Sequence, residues 1–226
     1  AAAALGVMSP TPGDESMLSL VLHRLRSVKA DTRCAALQAL VLVADRGAEA
    51  AVAAAATSLE DSDANVRRVA ANALGGIAER GDAGATAAAM GLLEHLDADV
   101  RCAALNALGK VAAQGDASIV AAVCERAEDP DTHVRCKAID VLPKLARKGD
   151  KAAIAALVER LADHDCHVLG AAAVALPKVA DKSDFPFAAV SARLDHPDED
   201  VRRAAEKALG RVAADAPSEG SLPSSP

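Results

Sequence analysis

Trp and Tyr are absent from the 226 residues, and Phe occurs only as Phe185 and Phe187. Without aromatic rings the chain has no platform for stacking nucleic-acid bases, and it lacks much of the residue set that favours strands. Positive charge is also scarce: 25 Lys and Arg face 32 Asp and Glu, a formal net charge of −7. That balance argues against general affinity for nucleic-acid phosphates, which needs clustered cations. No apolar run approaches the roughly 18 uninterrupted residues of a membrane span, because acids and arginines punctuate every segment. Five cysteines, an odd number scattered through helical pattern, fit a reducing compartment better than a disulfide framework. The expectation is a soluble intracellular chain of the cytosol or an organelle interior, plastid or mitochondrial, and not a secreted one. The opening "AAAALGVMSP" has no basic n-region of an intact signal peptide.

What the chain has in abundance is alanine, the best helix former, and a period. The stretch "DADVRCAALNALGKVAAQGD" at 97–116 recurs 34 residues later as "DTHVRCKAIDVLPKLARKGD" and 34 earlier as "DANVRRVAANALGGIAERGD". Aligned on one position, here numbered 0, the copies place Thr32, Val66, Val100, Val134, Val168 and Val201 in register. A fixed period of this length is the mark of a solenoid, whose units bury their apolar faces only by stacking. The predicted fold is all-α, a solenoid of six stacked antiparallel helix pairs. Its units are 14–47, 48–81, 82–115, 116–149, 150–183 and 184–216, between an extension (1–13) and a Pro/Ser-rich tail (217–226).

Within each unit apolar residues fall at +4, +7, +8 and +11, as in Ala104, Ala107, Leu108 and Val111, which is one stripe of a helix. Asp63, Asp97, Asp131, Asp165 and Asp198 stand at −3, where a carboxylate accepts orphan N–H groups and opposes the helix dipole. Glycine at +15, usually followed by aspartate, reads as a helix stop and the cap of the next helix.

An Asp before Val-Arg, followed by Ala, Ala-Leu and Gly-Asp, resembles the HEAT repeat, and within it the short HEAT-like repeats of phycobilin lyases. The resemblance implies a ladder of Asp–Arg hydrogen bonds between successive units. The matching residues are Asp63, Asp97, Asp131, Asp165 and Asp198 with Arg33, Arg67, Arg101, Arg135 and Arg202. Leu169 replaces arginine in the fifth unit, so a weaker or differently angled junction is expected there. The lyase variety implies, as an alternative function, a chromophore-lyase-like protein that binds a tetrapyrrole, but two Phe residues are few for lining its cavity.

Residues that the repeat does not explain are the candidates for function. Cys34, Cys102 and Cys136 share position +2, and packed helices about 8–10 Å apart keep such thiols beyond the roughly 7 Å Cα separation of a disulfide. "DHDCHV" at 163–168 gathers metal-type side chains but lacks the four spaced ligands of a structural zinc, so it reads as a capped turn. HEAT-repeat hydroxylases hold iron with His-Glu pairs, and Glu94-His95 has the reverse order. No P-loop, GxSxG or dinucleotide fingerprint occurs. The expectation is therefore no catalytic residue, no cofactor and no metal. Lys110, Lys144, Lys178 and Arg211 share +10 and are the candidate contacts for an acidic protein partner. Val41 and Leu42 stand at +9 and +10 of the first unit, where a terminal unit should be polar, and are the second candidate, for a partner subunit or "AAAALGVM" folding back. Pro143 and Pro177, inside helices at +9, are read as adjustments of curvature. The function expected is a non-catalytic interaction scaffold or accessory subunit of a larger assembly.

Overall fold

The computed structural model describes residues 14–214, so the extension at 1–13 and the tail at 217–226 lie outside the described residues. Five units begin with a first helix of nine or ten residues: α1 (Glu15–Arg24), α3 (Glu49–Thr57), α5 (Ala83–Gly91), α7 (Ala117–Arg126) and α9 (Lys151–Arg160). Their second helices are α2 (Ala30–Val43), α4 (Ala64–Ile77), α6 (Ala98–Val111), α8 (Thr132–Leu145) and α10 (Cys166–Val179). The sixth unit pairs α11 (Phe187–Ser191) with α12 (Glu199–Ala214). The described residues hold no strand. The architecture is the expected helical solenoid, with α11 cut short. Pro186 at its N-cap lacks an N–H and disfavours helix in the residue before it, so the helix cannot start earlier.

The apolar stripe explains the stacking. Ala104, Ala107, Leu108 and Val111 are fully buried, as are Ala138, Leu142 and Leu145 of the next unit. Each second helix packs closely on the next along the whole row, whereas the first helices meet far less, chiefly at α3–α5 and α7–α9. A stack with one row of helices drawn tighter than the other curves toward the tight row, which makes the second helices the inner face.

The glycines at +15 do more than stop a helix. Gly47, Gly81, Gly115 and Gly149 have φ between +78° and +91°, a backbone region that a Cβ disfavours. That conformation turns each N–H away from its own helix and onto the last turn of the next unit's second helix. Gly47 donates to the Ile77 carbonyl at 2.8 Å, Gly81 to Val111 at 2.6 Å, Gly115 to Leu145 at 2.6 Å and Gly149 to Val179 at 2.7 Å. Orphan carbonyls at a helix end are thus satisfied by the neighbour. Ser183 occupies this position in the fifth unit.

Gly115→Ala should lower stability by about 1–2 kcal/mol, the cost of a left-handed residue with a Cβ, while Gly91→Ala, a helical glycine with open space around it, should raise it by about 0.4–1 kcal/mol. Thermal midpoints of the two variants that moved in the same direction would contradict the bridging role of Gly115.

Candidate functional site

The arginines at +1 close their own turns and also reach the following unit. Arg101 Nη1 donates to the carbonyls of His95 (2.8 Å) and Leu96 (3.1 Å). Its Nε and Nη2 grip Asp129 of the next unit at 2.9 and 2.7 Å. Arg33 holds Asp61 in the same bidentate way at 2.7 and 2.6 Å, and Arg135 holds Asp163 at 3.0 and 3.1 Å. These forks are the stronger kind of hydrogen bond, planar and charge-assisted. Arg67, Arg101, Arg135 and Asp129 are buried.

The carboxylates in these ties are not the ones expected. Asp63, Asp97, Asp131, Asp165 and Asp198 cap their helices, accepting backbone N–H groups two or three residues ahead such as Val66, Asp99, Val134, Val168 and Val201. A carboxylate turned back onto its own helix start does not reach the preceding unit's arginine. The acceptors lie two residues upstream, at −5. There Asp61, Asp129 and Asp163 each accept an arginine and also the N–H of the cap aspartate. His95 and His196 take −5 in the third and sixth units and keep only the second job, with Nδ1 accepting from Asp97 and Asp198. Arg67, facing His95, turns instead to Asp99 at 2.8 Å. Arg202 in the last unit binds its own turn carbonyls, His196 and Pro197. A third row of ties joins the first helices: Arg126 donates to the Leu93 carbonyl, Arg160 to Ala127 and Arg193 to Leu161.

Burial works against ionising Asp61 and Asp163, yet their N–H and guanidinium donors outweigh it and hold both carboxyls below the usual range. A depressed folded pKa stabilises above the unfolded value, about 3.9 for Asp, and that contribution fades as pH falls through the folded one.

At the fifth junction Leu169, His196 and Ser183 together remove the arginine, its acceptor and the bridging glycine, while α10 and α12 pack more extensively than any other pair of second helices. The departure expected from Leu169 is a loss of polar ties offset by closer apolar contact, with Gly170 facing Ala204.

The inner row at +10 occupies the same register on four successive second helices, α6, α8, α10 and α12. Lys110, Lys144, Lys178 and Arg211 are exposed, and none forms an ion pair among the described residues. Their stems explain the residues at +9. A Cβ on Gly75 would stand 2.7 Å from Lys110 Cβ, and one on Gly109 would stand 3.6 Å from Lys144 Cδ. The Lys110 stem thus lies over Gly75, and Lys144, together with Val141, lies beside Gly109, so glycine at +9 makes room for a neighbour. Lys178 and Pro143 line one inner concavity of about 290 Å³ between α8, α10 and α12.

The two candidate residues of the first unit separate. Val41 lies against α4, where a Cβ on Gly76 would come within 3.0 Å of its Cγ1, so it belongs to the first junction and not to the end of the stack. Leu42 is 64% exposed, with no preceding unit among the described residues for it to cover.

The thiols carry no chemistry of the usual reactive kind. Burial pushes Cys102 and Cys124 up to about 11, and a hydrogen bond to Asp198 raises Cys166. In "DHDCHV", Asp163 is taken by Arg135 and Asp165 by its helix start, and no group of three metal-type ligands occurs among the described residues.

The model for HEAT repeats matches residues 50–123, 86–177 and 120–210. No curated protein sequence matches the chain. Among solved structures, an engineered protein is similar at TM-score 0.58 and 23% identity, over 87% of this chain and 96% of its own. A designed armadillo repeat protein in complex with the peptide (KR)4 is similar at TM-score 0.59 and 19% identity, over 86% of this chain and 99% of its own. The archaeal HEAT-like repeats protein from Thermococcus onnurineus NA1 is similar at TM-score 0.54 and 19% identity, over 89% and 88%. At such identities the likeness is one of fold.

Asp129→Ala leaves Arg101 buried and unpaired, which should cost about 3–5 kcal/mol; Asp131→Ala removes a cap and should cost about 1 kcal/mol. Denaturant midpoints that ranked the two in the opposite order would restore the cap aspartates as ladder partners. Cys102 and Cys124 should alkylate slowly at mildly alkaline pH and speed up only toward pH 11, which rate measurements across that range will check.

Proposed function

The chain belongs to the HEAT-repeat family, and from that premise we propose that it is a non-catalytic scaffold or accessory subunit that binds an acidic protein segment along its inner face. The observation that carries this reading is the row Lys110, Lys144, Lys178 and Arg211, one exposed cation per unit on successive second helices. The repeat residues are otherwise occupied: aspartates cap and tie, arginines clamp, glycines bridge, and the thiols are held protonated. A designed armadillo repeat protein of similar fold was solved with the basic peptide (KR)4; the inner row here carries the same sign as that peptide, so the complementary ligand is acidic. Helices packed about 8–10 Å apart match three residues of extended chain at about 3.3 Å each. The ligand predicted is an extended segment with an acid at every third position. Packing of the stems over Gly75 and Gly109 preorganises the cations, which lowers the ordering cost of binding.

A multi-subunit assembly in a reducing compartment, the cytosol or an organelle interior, suits five free thiols and a chain whose described helices include none long and apolar enough to cross a membrane. The tetrapyrrole-lyase alternative gains no support of its own. The inner concavities between α4, α6 and α8 and between α8, α10 and α12 are about 290 Å³ each and lined by small and charged side chains without Phe.

The test is fluorescence anisotropy with two peptides of equal charge, one bearing glutamate at every third residue and the other bearing its glutamates in one block. The spaced peptide should bind more tightly, weaken as salt rises, and lose most of its affinity to a Lys110→Glu, Lys144→Glu, Lys178→Glu variant. Equal binding of both peptides, or an unaffected triple variant, would remove the inner row as the partner site.

A further inference from the structure

We infer that the two ends of the solenoid are complementary and that the first unit of one copy stacks on the sixth unit of a second copy, head to tail. This rests on reading the chain as a protein-binding scaffold, and it adds a second partner at the first unit, which it identifies as the same chain.

Each interior junction sets a pattern that the ends repeat in halves. At the second junction, where −5 is His95 and not aspartate, Arg67 at +1 pairs with Asp99 at −1 of the next unit. In the first unit −5 is Ser27 and −1 is Asp31, exposed and without a hydrogen-bond partner among the described residues. In the sixth unit Arg202 at +1 uses Nη1 on its own turn and leaves Nε and Nη2 with no acceptor among the described residues. Asp31 and Arg202 are thus two halves of an Arg67–Asp99 pair.

Three further positions agree. Arg126, Arg160 and Arg193 at −8 donate to carbonyls at −7 of the preceding unit; Arg24 holds −8 in the first unit, with no preceding unit among the described residues, and Leu194 offers the −7 carbonyl in the sixth. Lys110 at +10 lies over Gly75 at +9. Leu42 at +10 has no such seat, while Gly210 at +9 of α12 has no atom within 4 Å of where its Cβ would be. Ala88 at −12 and Val52 at −14 line one concavity at the junction of the second and third units. Leu20 at −12 is 49% exposed at one end, and Phe187 at −14 is 43% exposed at the other.

A docked second copy brings together an ion pair, an arginine–carbonyl bond, a side chain in a glycine seat and an apolar pair, each already present at an interior junction. Because the joined faces differ, the contact is heterologous and continues, giving open filaments or rings in place of a closed dimer.

Sedimentation velocity on the purified full chain, from low micromolar to near-millimolar concentration, tests this without any other partner, so it succeeds or fails independently of the acidic-peptide measurement. The expected result is a mass that climbs past dimer. Gly210→Leu fills the seat and Asp31→Arg reverses the charge. Neither residue has a partner to lose among the described residues, so helicity should hold while association weakens by roughly tenfold or more, the scale of losing a charged hydrogen bond. Adding Arg202→Asp to Asp31→Arg should recover part of that loss. A chain that stays monomeric throughout, a series that stops at dimer, or association indifferent to Gly210→Leu and Asp31→Arg each overturns head-to-tail stacking.

Discussion

An arginine at +1 fixes both the shape of a unit and its distance from the next. One nitrogen of Arg101 closes the turn that precedes α6, and the remaining fork fastens Asp129 in the following turn. Because the guanidinium is rigid and planar, the angle of the fork dictates where the neighbouring turn can sit, and with it the start of the neighbouring second helix. The aspartate at −5 relays the constraint, since the same carboxylate accepts the N–H of the cap residue. Position of one unit therefore sets helix geometry in the next through two hydrogen-bonded groups, and the alanine faces are brought into contact in a defined register.

The bridging glycines apply the same logic at the other end of the helices. Arginine ties act at the N-terminal turns of the second helices, and the Gly N–H bonds act at their C-termini. A second helix held at both ends against its neighbour has little freedom to slide. That is what allows small side chains, with few rotamers of their own, to form a specific core. It also explains glycine at +9 in the second and third units, since a Cβ on Gly75 would meet the Lys110 stem and one on Gly109 would press on Val141 and Lys144.

Much of this was legible in the sequence. The period, the stripe at +4, +7, +8 and +11, and the cap aspartates follow from local rules that need only one helix at a time. The ladder acceptor was misassigned by two residues because "DSD", "DPD" and "DHD" offer two aspartates each. The resemblance pointed to the one beside the helix, whose cap geometry takes it out of reach. A signal was present: −5 holds Asp or His in every unit after the first, always a side chain able to accept an N–H. The second job of Gly115 and the seat at Gly75 were not legible, because in both cases the reason lies in a residue of another unit, Leu145 or Lys110, that no local pattern connects. Val41 was misplaced for the same reason, its partner being Gly76.

The two junctions that depart from the ladder show why partners are lost together or replaced. Removing one member of a buried charged pair leaves the other desolvated and unsatisfied, whereas removing both and closing the space with apolar contact can be nearly neutral. At the fifth junction Leu169 and His196 delete arginine and carboxylate at once, and α10 packs directly on α12. At the second, His95 deletes only the carboxylate, so Arg67 remains buried with its charge, and Asp99, four residues further along, supplies the compensating carboxylate. Two carboxylate positions in the turn, −5 and −1, thus serve as alternatives for one arginine, and a junction tolerates loss of either provided the other is acidic. The first unit, with Ser27 at −5 and Asp31 at −1, has the acidic alternative although the described residues include no +1 arginine of a preceding unit; its exposed carboxylate stands at the register where Asp99 takes up Arg67.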